Sequence, residues 1–234
     1  MKNYYLALLL IFVLFAVGCS RFRDAADAPG RAGGSEPEIA KETGPAPLEY
    51  APTSDPKADI EKMSERFLGL TSFKAKMTGD GKTPVNSEMD FIAPDRYRVK
   101  TASAMEMIVI GRATFMKIGE EWKLMQLPLD SSIKDMRAAF SKDEMKWVSD
   151  VKYAGEEPVN GKWAYVYTYH AKGPNNQGEN DSKLWVAKST GLPLKIEASY
   201  KSGNLKTMTI DYDYDTPVVI QPPARAVPAT GGYQ

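Results

Sequence analysis

Few residues in this chain are of the types that perform covalent or acid–base chemistry, and they are scattered. Among 234 residues there is one cysteine, Cys19, and one histidine, His170. His170 closes the run Trp163-Ala164-Tyr165-Val166-Tyr167-Thr168-Tyr169, and no nucleophile with an orienting carboxylate surrounds it in the sequence. A general base needs both partners, so His170 reads as an ordinary strand-end residue. Asp211, Asp213 and Asp215 alternate with Tyr212 and Tyr214. On an extended strand such carboxylates stand about 7 Å apart, whereas calcium needs six to eight converging oxygens. They read as acids that keep one strand face wet. Glu156-Glu157 and Asp143-Glu144 are sequence neighbours, which point to opposite faces of a strand and make no glycosidase pair. No catalytic residue, metal or cofactor is expected.

Cys19 is different because of what precedes it. Lys2 gives a positive start, the fourteen residues Tyr4–Val17 are apolar, and Ala16-Val17-Gly18 are small. That order is the one found in a secretory signal, and the run is shorter than the roughly 20 residues that span a bilayer as a helix. Ala16-Val17-Gly18-Cys19 resembles the bacterial lipobox, in which cleavage precedes a cysteine that is then acylated; alanine in place of the usual leucine is the one departure. Residues 1–18 are therefore expected to be a signal peptide, and Cys19 the lipid attachment site to a membrane. Each buried methylene of an attached chain contributes about 0.8 kcal/mol, so several chains anchor durably.

Acylation of Cys19 leaves no thiol, which excludes disulfides, thiolate metal sites and cysteine nucleophiles. With 30 basic and 30 acidic residues the charge is balanced, which gives no electrostatic case for nucleic acid. A monomer is expected.

The elements follow from hydrophobic period. From Cys19 to Ser54 the chain is rich in Pro, Gly, Ala and charge, a composition that cannot offset its ordering entropy; it is expected to be a tether without fixed structure. Its r.m.s. span would be about 30–35 Å. Residues 55–223 are expected to form one domain and 224–234 a low-order tail. Asp55-Pro56 supplies an N-cap and a first-turn proline. Ile60, Met63, Phe67 and Leu68 then mark one face of a helix over 55–68. A second short stripe, Ile133, Met136, Ala139 and Phe140, predicts a helix over 131–140. The rest alternates with the two-residue period of half-buried strands: 73–77, 86–92, 97–101, 105–110, 114–118, 121–126, 150–157, 162–170, 182–187, 194–198 and 204–214. Gly119-Glu120, Asn160-Gly161, Thr190-Gly191 and Ser202-Gly203 mark turns. The expectation is a mainly β, α+β fold: a strongly curved antiparallel half-barrel of about ten or eleven strands, its concave face covered by the two helices.

Phe91-Ile92-Ala93-Pro94-Asp95-Arg96-Tyr97-Arg98-Val99, Ile108-Val109-Ile110-Gly111, Phe115, Gly119 with Trp122-Lys123, Leu184-Trp185-Val186, Thr190-Gly191-Leu192-Pro193-Leu194-Lys195, Ile210-Asp211-Tyr212, and Pro217, Ile220 and Pro222-Pro223 follow one another in the order of a known family. Over roughly residues 55–223 the chain resembles the LolA/LolB-like proteins and the related lipid-carrying lipoproteins of mycobacteria. The resemblance implies a half-barrel whose hollow receives acyl chains, and a carrier or sorting role for lipids or lipoproteins in the cell envelope. By resemblance to enterobacterial lipoprotein sorting, Ser20 after the lipidated cysteine, in place of Asp, favours the outer membrane, facing the periplasm. The long stretch after Cys19 departs from the family pattern.

The physics allows the same reading. Eleven methionines, with Met105, Met107, Met116 and Met125 close together, suit walls that adapt to varied apolar ligands, and equally suit ordinary packing. Met107, Val109, Phe115, Trp122, Leu124, Leu194 and Ile196 are expected on the concave wall, with a one-residue slip at Phe115/Met116 able to exchange faces. Trp163, Tyr165, Tyr167 and Tyr169 read as packing beneath a helix, ahead of a face for sugar or a partner. The alternative to a lipid carrier is a structural lipoprotein of an envelope complex, its sheet fully packed and its aromatic face docking a protein.

Overall fold

The computed structural model describes residues 50–125, 140–172 and 178–229. Cys19, the stretch through residue 49 and most of the expected second helix (131–139) lie outside these. Helix α1 (Pro56–Leu68) begins as its sequence dictates: Asp55 caps it, Oδ1 accepting from the backbone N–H groups of Lys57 and Ala58 at 3.1 Å each. Proline at the first position loses no intrahelical hydrogen bond. Ile60, Met63 and Phe67 are buried against the sheet. Phe140, the last residue of the expected second stripe, lies with its ring 4.5 Å from that of Phe67. A one-turn helix α2 (Lys142–Met145), which the sequence did not announce, follows it.

Twelve strands form one sheet: β1 (Ser72–Gly81), β2 (Val85–Ile92), β3 (Arg96–Thr101), β4 (Glu106–Ile110), β5 (Ala113–Ile118), β6 (Glu121–Met125), β7 (Val148–Val159), β8 (Lys162–Ala171), β9 (Asn180–Ala187), β10 (Pro193–Tyr200), β11 (Leu205–Asp213) and β12 (Val227–Pro228). Their order is β12-β6-β5-β4-β3-β2-β1-β11-β10-β9-β8-β7. Two antiparallel meanders, β1–β6 and β7–β11, are thus joined side by side where β1 pairs with β11. Short turns fix this order. Asn160 and Gly161 hold φ of 51° and 74° between Val159 and Lys162, the doubly left-handed turn whose twist matches two antiparallel strands.

The sheet is open and curled, and the expected fold class is the observed one. The strands anticipated from alternation are present, most with their ends moved by a residue or two, while β1, expected over 73–77, runs four residues further to Gly81. Two boundaries differ more. Tyr50, expected in the tether, is 2% exposed and belongs to the core. The C-terminal tail, expected to lack order from 224, pairs in parallel with β6 at Val227–Pro228, and Ala229 N donates to Leu124 O at 3.0 Å. Backbone pairing of two residues leaves no side-chain period in a sequence, so it was not legible there.

One large core lies on the helix side, where α1 meets β1–β4 and β7–β11. Two smaller apolar clusters lie on the opposite face. One gathers Ala164, Val166, Trp185, Ala187 and Leu194. In the other, the chain after β11 lays Val218 and Ile220 over Ile108, with Ile92, Ile110, Phe115 and Trp122 at its margin.

Candidate functional site: the helix side of the sheet

Cross-strand register shows how the helix side is built. One line runs Tyr212–Ala75–Met89–Val99–Met107–Met116 across β11, β1, β2, β3, β4 and β5. Beside it runs Phe73–Phe91–Tyr97–Val109–Thr114–Met125, from β1 to β6. Tyr167–Leu184–Ile196–Ile210–Met77 crosses from β8 to β1. Directly opposed side chains on one face of an antiparallel pair touch, so these lines form a largely apolar wall in which Thr114 is a buried polar member. Phe67 of α1 puts its ring 4.9 Å from Phe73 and 5.4 Å from Tyr212. From there the methionine line continues outward through β2–β5.

A polar knot fastens the start of the domain to this face. Asp59 in α1 is 2% exposed. Its carboxylate accepts from Thr53 N (3.0 Å to Oδ2), Thr53 Oγ1 (2.8 Å) and Tyr167 Oη (3.2 Å). Buried carboxylates persist where hydrogen bonds satisfy their oxygens. Tyr50 Oη donates to Asp59 O at 3.0 Å, and burial pushes its phenol up to about 12, against the opposing pull of the Tyr167 hydrogen bond. The Tyr167 phenol is also raised, chiefly by burial. Arg66 Nη1 donates to Thr190 O at 2.9 Å and stands over the Tyr50 ring.

The opposite face carries charge through its middle. Lys195–Asp211–Lys76–Glu88–Lys100–Glu106 oppose one another across β10, β11, β1, β2, β3 and β4, alternating in sign at every strand. Asp213–Lys74–Asp90–Arg98 forms a second such row. Arg98 Nε donates to Glu106 Oε1 at 2.6 Å. The groove along these rows has a volume of about 610 Å³ and polar walls. His170 sits on the same side, Nδ1 2.8 Å from Asp181 and Nε2 3.0 Å from Glu179. The His170 contact lowers the Asp181 carboxyl, and Lys201 chiefly lowers that of Glu179. Among the described residues no three His, Cys, Asp or Glu are grouped to hold a metal ion, and no helix is long and apolar enough to cross a membrane.

The expected wall residues divide between the two faces. Met107, Val109 and Ile196 lie on the helix side. Phe115, Trp122, Leu124 and Leu194 do not, which corrects their expected placement. Phe115 opposes Ile108 and Leu124, and Trp122 opposes Lys117, so all belong to the outer face. The cause is a one-residue exchange at β5: Thr114 and Met116, not Phe115, face inward. Leu194 turns outward because the ladder shifts between Pro193 and Lys195, and a bulge re-aims the residue it inserts. Met89, Val99 and Met116 were missed as wall residues. Their signal was the same alternation, carried through hairpin registers that sequence alone does not fix.

No family model matches the sequence, and no curated protein does. Solved structures do. LppX, a lipoprotein of Mycobacterium tuberculosis, aligns over 71% of this chain and 98% of its own, at 15% identity and a TM-score of 0.56. LprF of Mycobacterium bovis aligns over 74% and 99%, at 14% identity and a TM-score of 0.56. The chain has the fold of these two proteins. A LolA superfamily protein of Nitrosomonas europaea aligns over 69% and 92%, at 15% identity and a TM-score of 0.30. The resemblance to mycobacterial lipoproteins read from the Phe91–Val99 segment and its successors is thus met at the level of the fold.

Proposed function

We propose that the protein is a lipid-anchored lipoprotein of the bacterial envelope, held through acylated Cys19, that houses acyl chains of a lipid or lipoprotein on the helix side of its sheet in a carrier or sorting role. The observation that carries this reading is the line Met89–Val99–Met107–Met116 across four neighbouring strands. Methionine is unbranched and polarizable, so such a line re-packs around chains of differing length where a wall of valine or isoleucine would not. Val109 and Ile196 extend the apolar surface on either side. Likeness in fold to a lipoprotein of M. tuberculosis adds support.

Native mass spectrometry of the full protein, purified in mild detergent, tests the reading, together with uptake of a fluorescent fatty acid. The expected result is a bound lipid mass in addition to the acylated chain, displaced by the fatty acid. A protein that carries no lipid and takes up no fatty acid defeats it.

A further inference from the structure

The end of the helix side near β7 and β8 leaves large aromatic residues in water. Trp163 opens β8, yet it is 61% exposed, and Tyr153 on β7 is 41% exposed. Between them Tyr165 is buried, its ring 6.2 Å from Tyr153 and 6.0 Å from Tyr50. Lys188 stands 4.9 Å over the Tyr165 ring. The chain coming from Cys19 arrives at this same place. Tyr50 N donates to Lys188 O at 3.1 Å, and Lys188 N donates to Trp163 O at 3.0 Å. Thirty residues, 20–49, separate Cys19 from Tyr50.

We propose that Trp163, Tyr153 and Lys188 form a margin that seats the domain on the headgroup layer of the bilayer in which Cys19 is anchored. The inference rests on the lipid-anchored reading above and adds which edge of the domain meets the membrane. Trp and Tyr join an apolar body to a polar tip and settle at the boundary between headgroups and acyl chains. Lys188, its ammonium paired with Glu156 at 2.9 Å, lays its apolar stem along the same layer. Anchorage 30 residues away turns this contact into an intramolecular event, so individually weak contacts suffice. Addition of a partner strand at the same edge is disfavoured. β7 is the last strand of the order, but its register shifts at Ser149/Lys152 and Tyr153/Gly155, and Pro158 lacks an N–H to donate.

The test uses the full acylated chain in vesicles of phosphatidylethanolamine and phosphatidylglycerol doped with brominated lipid, which quenches nearby indoles. Trp163 is one of four tryptophans, yet Trp163→Phe is expected to remove at least about half of the quenching. Equal quenching in wild type and variant overturns the margin. In a second arm, Trp163→Ser is expected to slow pick-up of a fluorescent lipid from vesicles by about five-fold or more while uptake of fatty acid from solution is unchanged. Pick-up at the wild-type rate also overturns it. Wild-type protein that is quenched through Trp163 but takes up no fatty acid supports the margin and defeats the acyl-chain reading instead.

Discussion

Met107 and Met116 oppose each other across β4 and β5 on the helix side, while one residue along, Ile108 and Phe115 oppose each other on the outer face. Neighbouring residues of the same two strands therefore serve different surfaces. Met107 is half-buried in the apolar wall, and Phe115 flanks the cluster formed by Val218 and Ile220. Met107→Asp is expected to lower fatty-acid uptake about ten-fold or more with a smaller loss of stability, because a charge in the wall disfavours an acyl chain. Phe115→Ala is expected to cost about 2–3 kcal/mol in urea unfolding and leave uptake as it was. The reverse pattern would show that the acyl chains lie on the other side of the sheet.

Gly191 holds φ at +66°, and a Cβ there would come within 2.8 Å of Tyr50 Cδ2 and closer still to Arg66 Nη1. Gly191→Ala is expected to lose roughly 1–3 kcal/mol, from backbone strain and displaced neighbours together. Limited proteolysis should then cut nearer Tyr50 than it does in the wild type. An unchanged melting temperature and cleavage pattern would refute the argument.

Alkaline pH acts through the buried phenols. Burial holds Tyr50 and Tyr200 up at about 12, against 10 for a free tyrosine. Between these values the unfolded chain gives up protons that the folded chain keeps, so fewer protons are bound in the unfolded state and stability falls as pH rises. Each such tyrosine contributes a slope of about 1.4 kcal/mol per pH unit. The contribution is intact below pH 10 and lost as pH climbs through about 12. Urea unfolding followed from pH 9 to pH 12 should show the decline, and Tyr50→Phe should reduce its slope by about 1.4 kcal/mol per pH unit, leaving the Tyr200 share.

The segment after β11 is held by apolar contact across the outer face. Ile220 is 2% exposed, and Ile220→Ala is expected to cost roughly 2–4 kcal/mol. Trp122 emission should shift to the red as its cover loosens. A stable variant with unchanged emission would mean that Val218 and the β12 pairing suffice without Ile220.

The sequence made legible whatever depends on period. Asp55-Pro56 marked the start of α1, and alternation such as Tyr97, Val99 and Thr101 against Arg98 and Lys100 marked strands and their wet faces. Asp211 and Asp213 of β11 stand on the charged side as read, while Asp215 lies just past the strand and pairs with Lys162 at 2.6 Å. Illegible was whatever depends on register. Phe115 and Met116 are both large and apolar, so nothing local says which faces inward; the pairing of β5 with β4 decides it. Leu194 and Ile196 have the spacing of one face, yet the shift after Pro193 separates them. Trp122 and Leu124 alternate properly, yet alternation does not say which face they serve, because outer-face apolar residues look the same as core until the returning segment at Val218–Ile220 is known.

The rows of alternating charge give the outer face an unusual reach. Adjacent strands lie about 4.8 Å apart, so the signs repeat about every 9.6 Å and neighbouring charges oppose one another's field. A surface dense in lysine and carboxylate therefore carries no net charge along these two rows. Five basic groups stand against five acidic ones in these rows, so they give the domain no net pull toward anionic headgroups. Under the proposed anchorage through Cys19, the turn of the domain above its membrane then falls to the aromatic edge and to the point where the leading chain arrives at Tyr50.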